Sequence, residues 1–380
     1  MTSALVNGRI FTGDEWLEDH ALIINGDRIH AVVPAAELPE GIAQTDLKGL
    51  TLLPGLFDTQ VNGGGGVLFN DAPTVETLRT IGEAHRLFGT TALLPTLISD
   101  DLSVVEKAIA AVEQAMTENV PGIVGVHLEG PFLNPARKGV HNAEKFRTID
   151  ESAFALLTSL KRGKTLVTLA PELTTPEIIH GLVEAGVTVA AGHSAADYEQ
   201  TKTALAAGLS SFTHLFNAMT PLTSREPGMI GAALENADSY CGIIVDGYHV
   251  HPAALKVALA AKARGKMVLV TDAMPTVGAI NKEFVLNGEV IRSENGRCAT
   301  ATGTLAGSDL DMLSAVRNSV SMLGLELGEA VRMASLYPAA MVGLENELGL
   351  LKSGYKASMI LVDENLNLIN SWIDGKPLHH

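Results

Sequence analysis

The chain has 380 residues, 46% of them hydrophobic, enough for one large barrel with an accessory unit or for two ordinary domains. A formal net charge of -16 leaves no basic face to neutralise a phosphate backbone, which argues against nucleic acid and anionic membrane surfaces as partners. The opening MTSALVNGRIFTGDEW has no basic stretch leading into an apolar one, and no later apolar run approaches the ~20 residues that cross a bilayer, so the expectation is a cytoplasmic protein.

Taken in chain order, residues 1–53 alternate short strands with turn signals, Asn7-Gly8 and Asn25-Gly26-Asp27, as an all-β unit does. From 54 to 343, short apolar or β-branched runs alternate with amphipathic ones, the pattern of repeated βα units. The spacing predicts eight strands: LTLLPGLFDTQVN (50–62), TTALLPTLI (90–98), IVGVHLEGP (123–131), LVTLAPE (166–172), TVAAGHS (188–194), SSFTHLFNA (210–218), CGIIVDGYHV (241–250) and MVLVTDAM (267–274). Helices are predicted over 74–88, 102–117, 151–161, 195–207 and 252–263, and another starts at Thr174-Thr175-Pro176-Glu177, a Thr cap followed by Pro in the first turn.

Residues 282–306, with Asn287-Gly288 and Asn295-Gly296, read as a β-hairpin insertion after the eighth strand. The tail 344–380 has the texture of the first segment, with Asp374-Gly375 as a turn. Neither end is long enough for a core of its own. The predicted architecture is therefore α/β: a (β/α)8 TIM barrel with a small β-sandwich domain formed by both termini. The two cysteines, Cys241 and Cys298, are far apart and in no CxxC arrangement, which predicts inert thiols rather than a disulfide framework. The terminal Leu378-His379-His380 is set aside from the site reasoning.

In such a barrel the chemistry lies at the carboxyl ends of the strands. Those ends carry Gln60 and Asn62, Thr96, His127 and Glu129, Glu172, His193, His214, Asp246 and His249, and Asp272. A catalytic zinc commonly takes three ligands from His and Glu or Asp, and Glu129, His193 and His214 fit that rule from three different strands. Asp272 is placed to act as general base and then acid. A lone histidine at a strand end is usually just a hydrogen-bonded polar residue, and it is the combination that points to a metal. His127 is left as a donor behind the ligands or a core residue, and Glu172 as structural.

The segments PGLFDTQVNG, HLEGPFLNPARKGVHN, LAPE, AGHS, THLFNAM, SREPG, DGYHV, LVTDAM and TGTLAGS, in that order, resemble the N-acetylglucosamine-6-phosphate deacetylases of the amidohydrolase superfamily almost end to end. The resemblance implies Glu129, His193 and His214 as ligands of one divalent metal per subunit, with Zn2+ expected and Fe2+, Mn2+ or Co2+ as alternatives. It implies Asp272 as the acid/base and His141 as the donor to the acetyl carbonyl.

For substrate contacts the resemblance implies Val140, His141, Asn217, Ala218, Arg225, Asp246, Gly247, Tyr248, His249 and the Leu305-Ala306-Gly307 backbone. Arg225 and His249 would hold the sugar phosphate near a site shared across a homodimer; the alternative for Arg225 is an ion pair with Glu226. Gln60 and Asn62 stand where related two-metal enzymes have His-x-His, so they mark vacated second-metal positions. Dihydroorotase- and hydantoinase-like enzymes, which bridge two metals through a lysine, are set apart by the same residues and by Glu129.

The implied reaction is hydrolysis of the acetamide of N-acetylglucosamine 6-phosphate to glucosamine 6-phosphate and acetate, in amino-sugar catabolism and cell-wall sugar recycling. The alternatives are an amidohydrolase acting on a related N-acyl amino sugar, or a non-catalytic relative.

Overall fold

The computed structural model describes residues 2–378, so His379 and His380 lie outside the described residues. Its centre is one sheet of eight parallel strands in sequence order: Leu56–Val61, Thr90–Ile98, Gly125–Glu129, Lys164–Leu169, Thr188–Ala191, Ser211–Phe212, Tyr240–Ile243 and Met267–Leu269. Six fall inside the segments read from the sequence, while Lys164–Leu169 and Tyr240–Ile243 begin just before theirs. The sheet curls into a nearly closed barrel, its ends joined by a parallel bridge between Val61 and Ala273.

The segment expected as one strand over 50–62 is two. Thr51–Pro54 pairs with Thr2–Phe11 and Met359–Val362 in the terminal sheet, and only Leu56–Val61 belongs to the barrel. Gly55 makes the transition: a Cβ there would sit 2.0 Å from the Thr91 hydroxyl, so only glycine lets the chain pass from one sheet to the other.

Helices fill the crossovers, and several start where a side chain accepts an orphan amide. Thr74 accepts from Thr77 N, Asp150 from Ala153 N, Thr175 from Ile178 N, and Asp197 from Gln200 N in a full capping box. The helix expected from 195 therefore begins at Tyr198. The helix expected to reach 161 ends at Leu157, where the Thr158 and Ser159 hydroxyls turn back onto Phe154 O and Leu156 O. Helices Gly228–Glu235, Met312–Leu323, Leu327–Met333 and Leu336–Met341 were not foreseen; the first is buried nearly throughout and lacks the polar face that a periodicity search needs.

Strands from both termini form a separate unit. Lys376–Pro377, Leu368–Ile373, Met359–Val362, Thr51–Pro54, Thr2–Phe11, Trp16–Asn25 and Arg28–Pro34 are neighbours in that order, with Ala43–Asp46 beside the start of Thr2–Phe11. Leu5, Ile10, Leu22, Leu52, Met359 and Trp372 give it its own core.

The insertion is three antiparallel strands, Glu283–Leu286, Glu289–Glu294 and Arg297–Ala299. Both of its turns place Asn and Gly at positive φ (50° and 82°, then 54° and 85°), the combination a tight two-residue turn requires. Leu286, Ile291 and Cys298 pack it onto Leu68, Ile98 and Met274 at the carboxyl end of the barrel. Cys241 and Cys298 are both free and buried. Among the described residues no helix is long and apolar enough to cross a membrane.

Candidate active site

Glu129 closes the third strand, and its two-residue spacing from His127 turns both side chains into the barrel. His193, His214 and Asp272 lie just beyond their strands, and all three have left-handed backbones, with φ of 49°, 33° and 53°. Such a conformation costs a non-glycine residue about 1–3 kcal/mol and persists only where the surroundings over-determine it. Asn134 N donates to His193 O at 2.9 Å, Asn217 N to His214 O at 3.0 Å, and Ser308 N to Asp272 O at 2.9 Å. His193, His214 and Asp272 are thus each presented from a strained backbone.

Three ligand atoms converge. Glu129 Oε1 lies 3.2 Å from His193 Nε2 and 3.0 Å from His214 Nε2, and the two imidazole nitrogens are 3.0 Å apart. All three residues are buried, and together they form the grouping that could hold a metal ion. His193 Nδ1 donates to Arg137 O at 2.8 Å, which leaves its Nε2 lone pair free for a cation. Burial alone would raise the Glu129 carboxyl, but the His193 and His214 rings that face it hold it well below the ordinary carboxylate range. A buried anion facing two imidazole lone pairs is a donor set that suits one divalent ion.

Gln60 and Asn62 occupy the other side of Glu129. Gln60 Nε2 donates to Glu129 Oε2 at 3.3 Å and to Asp272 Oδ1 at 3.2 Å, and Asn62 Nδ2 donates to Asp272 Oδ1 at 2.7 Å. Amide protons therefore bridge the two carboxylates. Burial, then the nearby Glu129 charge, push the Asp272 carboxyl up to about 6, close to where a group that must both take and return a proton works best.

His141 Nδ1 is met by Ser99 Oγ at 2.8 Å and by Ser99 N at 3.3 Å. A backbone amide can only donate, so Nδ1 is the acceptor and the proton sits on Nε2, which lies 4.0 Å from Glu129 Oε1. Burial and the neighbouring His193 push the ring down to about 3, so His141 presents a neutral N–H to the cluster.

The outer residues are less uniform. Asp246, expected among the sugar contacts, accepts His249 Nδ1 at 2.6 Å, His249 N at 2.9 Å and Tyr248 N at 2.8 Å, so this carboxylate holds its own turn and orients His249. Gly247 has φ 80°, which that turn needs. Tyr248 is exposed, and its hydroxyl donates to Asn295 O at 2.8 Å. Val140 O accepts Asn287 Nδ2 at 2.8 Å. Both turns of the inserted sheet are thereby fastened to loops beside His141 and His249.

Asn217 Nδ2 donates to His214 O at 3.2 Å, and Ala218 O accepts Ser194 N at 3.1 Å, which ties two ligand loops together. Ala306 is buried with half-buried Leu305 beside it, and at Gly307 a Cβ would lie 2.7 Å from Asp272 O. Arg225 is exposed and has no ion-pair partner among the described residues. Glu226, its alternative partner, accepts Tyr198 N at 3.2 Å and Gly228 N at 3.1 Å instead.

Comparison with known proteins places this constellation. Residues 51–378 match the Amidohydrolase family, and residues 3–52 match the NagA composite domain. The chain belongs to the amidohydrolase family. An N-acetylgalactosamine-6-phosphate deacetylase of Shewanella sp. (strain ANA-3) is 47% identical over 87% of this chain and 83% of its own length. An N-acetylglucosamine-6-phosphate deacetylase of Haemophilus influenzae is 38% identical over 99% of both chains. The crystal structure of N-acetylglucosamine-6-phosphate deacetylase from Pasteurella multocida superposes with a TM-score of 0.96 at 35% identity, covering 99% of each chain.

Four groups support the centre of this amidohydrolase from behind, and two of them, Ser99 and the Arg137 carbonyl, were not singled out from its sequence. Ser99 fixes the His141 tautomer, and the Arg137 carbonyl orients His193. Glu172, read as structural, accepts Ser194 Oγ and Ala195 N at 2.6 Å and Asn134 Nδ2 at 2.9 Å, binding together the loops around His193. His127 spans Thr96 and Thr168 beneath Glu129, at 3.2 and 2.7 Å, and burial pushes it down to about 4. A main-chain carbonyl or amide carries no sequence signal, which is why Arg137 and Ser99 escaped notice.

Proposed function

We propose that this amidohydrolase hydrolyses the acetamide of N-acetylglucosamine 6-phosphate to glucosamine 6-phosphate and acetate. The observation that carries the reading is the Glu129, His193 and His214 cluster set against a carboxyl, Asp272, raised to about 6 and held by two amide side chains. A single divalent ion bound by those three ligands supplies a Lewis acid that acidifies water and polarises a carbonyl, with Zn2+ the expected ion and Fe2+, Mn2+ or Co2+ suited to the same donors.

The protein's own groups do the rest. Asp272 takes a proton from the attacking water, the new C–O bond forms at the acetyl carbon, and the His141 Nε2–H donates to the oxygen on which charge develops. One such donor is worth roughly 2.7 to 4 kcal/mol in other enzymes. As the C–N bond breaks, Asp272 returns the proton to the departing amine, so the carboxylate is regenerated. Gln60 and Asn62 keep that carboxylate turned to the reacting atoms.

His249, oriented by Asp246, and the unpaired Arg225 are assigned to the sugar phosphate, with Arg225 reaching a partner subunit's site in a homodimer. The setting assigned is cytoplasmic amino-sugar catabolism and cell-wall sugar recycling. The 47% identical Shewanella relative, named for the galactosamine epimer, favours a second reading in which N-acetylgalactosamine 6-phosphate is the substrate. Acetate release from the purified protein on each sugar phosphate decides: the main reading expects the larger kcat/KM for the gluco epimer, a reversed preference establishes the second, and no release from either rejects both.

A further inference from the structure

The first and eighth barrel strands meet at a seam that the regular ladder leaves open. Leu56–Val61 and Met267–Leu269 are the two ends of the barrel sheet. Main-chain bonds cross just beyond, where Asp272 N donates to Gln60 O at 3.0 Å and Asn62 N to Ala273 O at 2.9 Å. One step lower, a side chain replaces the main-chain acceptor. Asp58, with 0% exposure, accepts Thr271 N at 3.3 Å and Gln60 N at 3.1 Å on one carboxylate oxygen and the Thr271 hydroxyl on the other.

The neighbourhood of this buckle is the acid/base itself. The register of the first strand shifts between Asp58 and Val61, and just beyond Asp58 the side chains of Gln60 and Asn62 hold the Asp272 carboxylate. Thr271 directly precedes Asp272, and its hydroxyl also accepts Ala273 N at 3.2 Å. On the far side, Ser308 Oγ donates to Thr271 O at 2.5 Å and Ser308 N to Asp272 O at 2.9 Å. The left-handed backbone of Asp272, φ 53°, is thus gripped on both sides. A buried carboxyl is an expensive way to join two strands that apolar residues could have joined, and burial pushes Asp58 up to about 7 against its own hydrogen bonds.

We propose that Asp58 is a positioning residue for the acid/base: through Thr271 it holds the Asp272 backbone in the left-handed turn that brings its carboxylate to Gln60 and Asn62. The kinetic side of this inference rests on the deacetylase reading; the structural side does not.

The test compares Thr271→Val, which removes the hydroxyl, with Thr271→Ser, which keeps it, and with Asp58→Asn, all as metal-loaded full chains. Thr271→Val and Asp58→Asn are expected to lose kcat roughly 10²-fold, the scale of a small misplacement of a reacting group. KM should stay within about twofold and metal content should be unchanged. Thr271→Ser should recover most of the rate. Hydrogen exchange should quicken at amides 271–273 in the first and third variants, not in Thr271→Ser, with the other barrel strands unaffected.

Wild-type kcat and exchange in Thr271→Val overturn the proposal. So does a loss that Thr271→Ser fails to restore, or one accompanied by lost metal and loosened exchange throughout the barrel. Should the unmodified protein release no acetate, the deacetylase reading fails separately, and exchange at 271–273 still decides whether the buckle holds Asp272.

Discussion

On the Asp272 carboxyl, burial and the Glu129 charge favour the proton, while Asn62, His214 and His249 favour its loss. A cation bound beside it would lower the value. The acid limb of kcat/KM is therefore expected at or below about pH 6, with activity rising as pH increases through it, because only the carboxylate can accept a proton. Asp272→Asn keeps the shape and removes that capacity. It is expected to retain metal, measured by elemental analysis, and to lose on the order of 10²–10⁴ in kcat; a variant turning over at the normal rate removes Asp272 from its role. His141 and Asp246 show the same dependence on neighbours: one amide from Ser99 sets which imidazole nitrogen carries the proton, and the turn that follows Asp246 lets its carboxylate orient His249.

Among the elements, the barrel strands position the site by ending early. Ser211–Phe212 is only two residues long, and His214 is carried on the left-handed turn that follows. The inserted sheet stands over this rim, its two Asn-Gly turns fastened by Asn287 to Val140 O and by Tyr248 to Asn295 O. Asn287 touches no ligand residue, so its removal probes the sheet as an element. Asn287→Ala should raise KM for the sugar phosphate several-fold while leaving kcat and metal content near normal, and exchange of the 283–299 amides should quicken. If KM and exchange are both unmoved, this fastening does not hold the sheet over the mouth.

At the scale of the whole molecule, the two chain ends meet in one sheet whose strand Thr51–Pro54 leads through Gly55 into the first barrel strand, so the terminal unit anchors the strand that bears Gln60 and Asn62. Gln60 and Asn62 fill the space between Glu129 and Asp272 with amide protons, which predicts one tightly bound metal per subunit, counted after gel filtration; two would overturn the single-metal reading. Chelation should abolish acetate release and lower the thermal midpoint, and re-addition of one metal should restore both, since an ion bound only by the folded state stabilises it. Arg225→Ala should weaken turnover of the phosphorylated sugar far more than of unphosphorylated N-acetylglucosamine, and mixing it with a subunit defective at Asp272 should restore activity if the arginine serves its partner's site. Equal losses on both sugars would remove Arg225 from phosphate recognition.

The barrel, its strand order and the convergence of Glu129, His193, His214 and Asp272 were legible in the sequence because apolar periodicity and strand-end position are local properties, carried by side-chain type and spacing alone. Gln60 and Asn62 were singled out from the sequence, but Asp58 was not. The tertiary structure decided the rest. The left-handed backbones of His193, His214 and Asp272, the tautomer of His141, the inward turn of Asp246 and the Asp58–Thr271 seam all depend on amides, carbonyls and hydroxyls brought together from distant parts of the chain. Backbone groups are the same at every residue, so where they donate and accept is settled only when the chain folds.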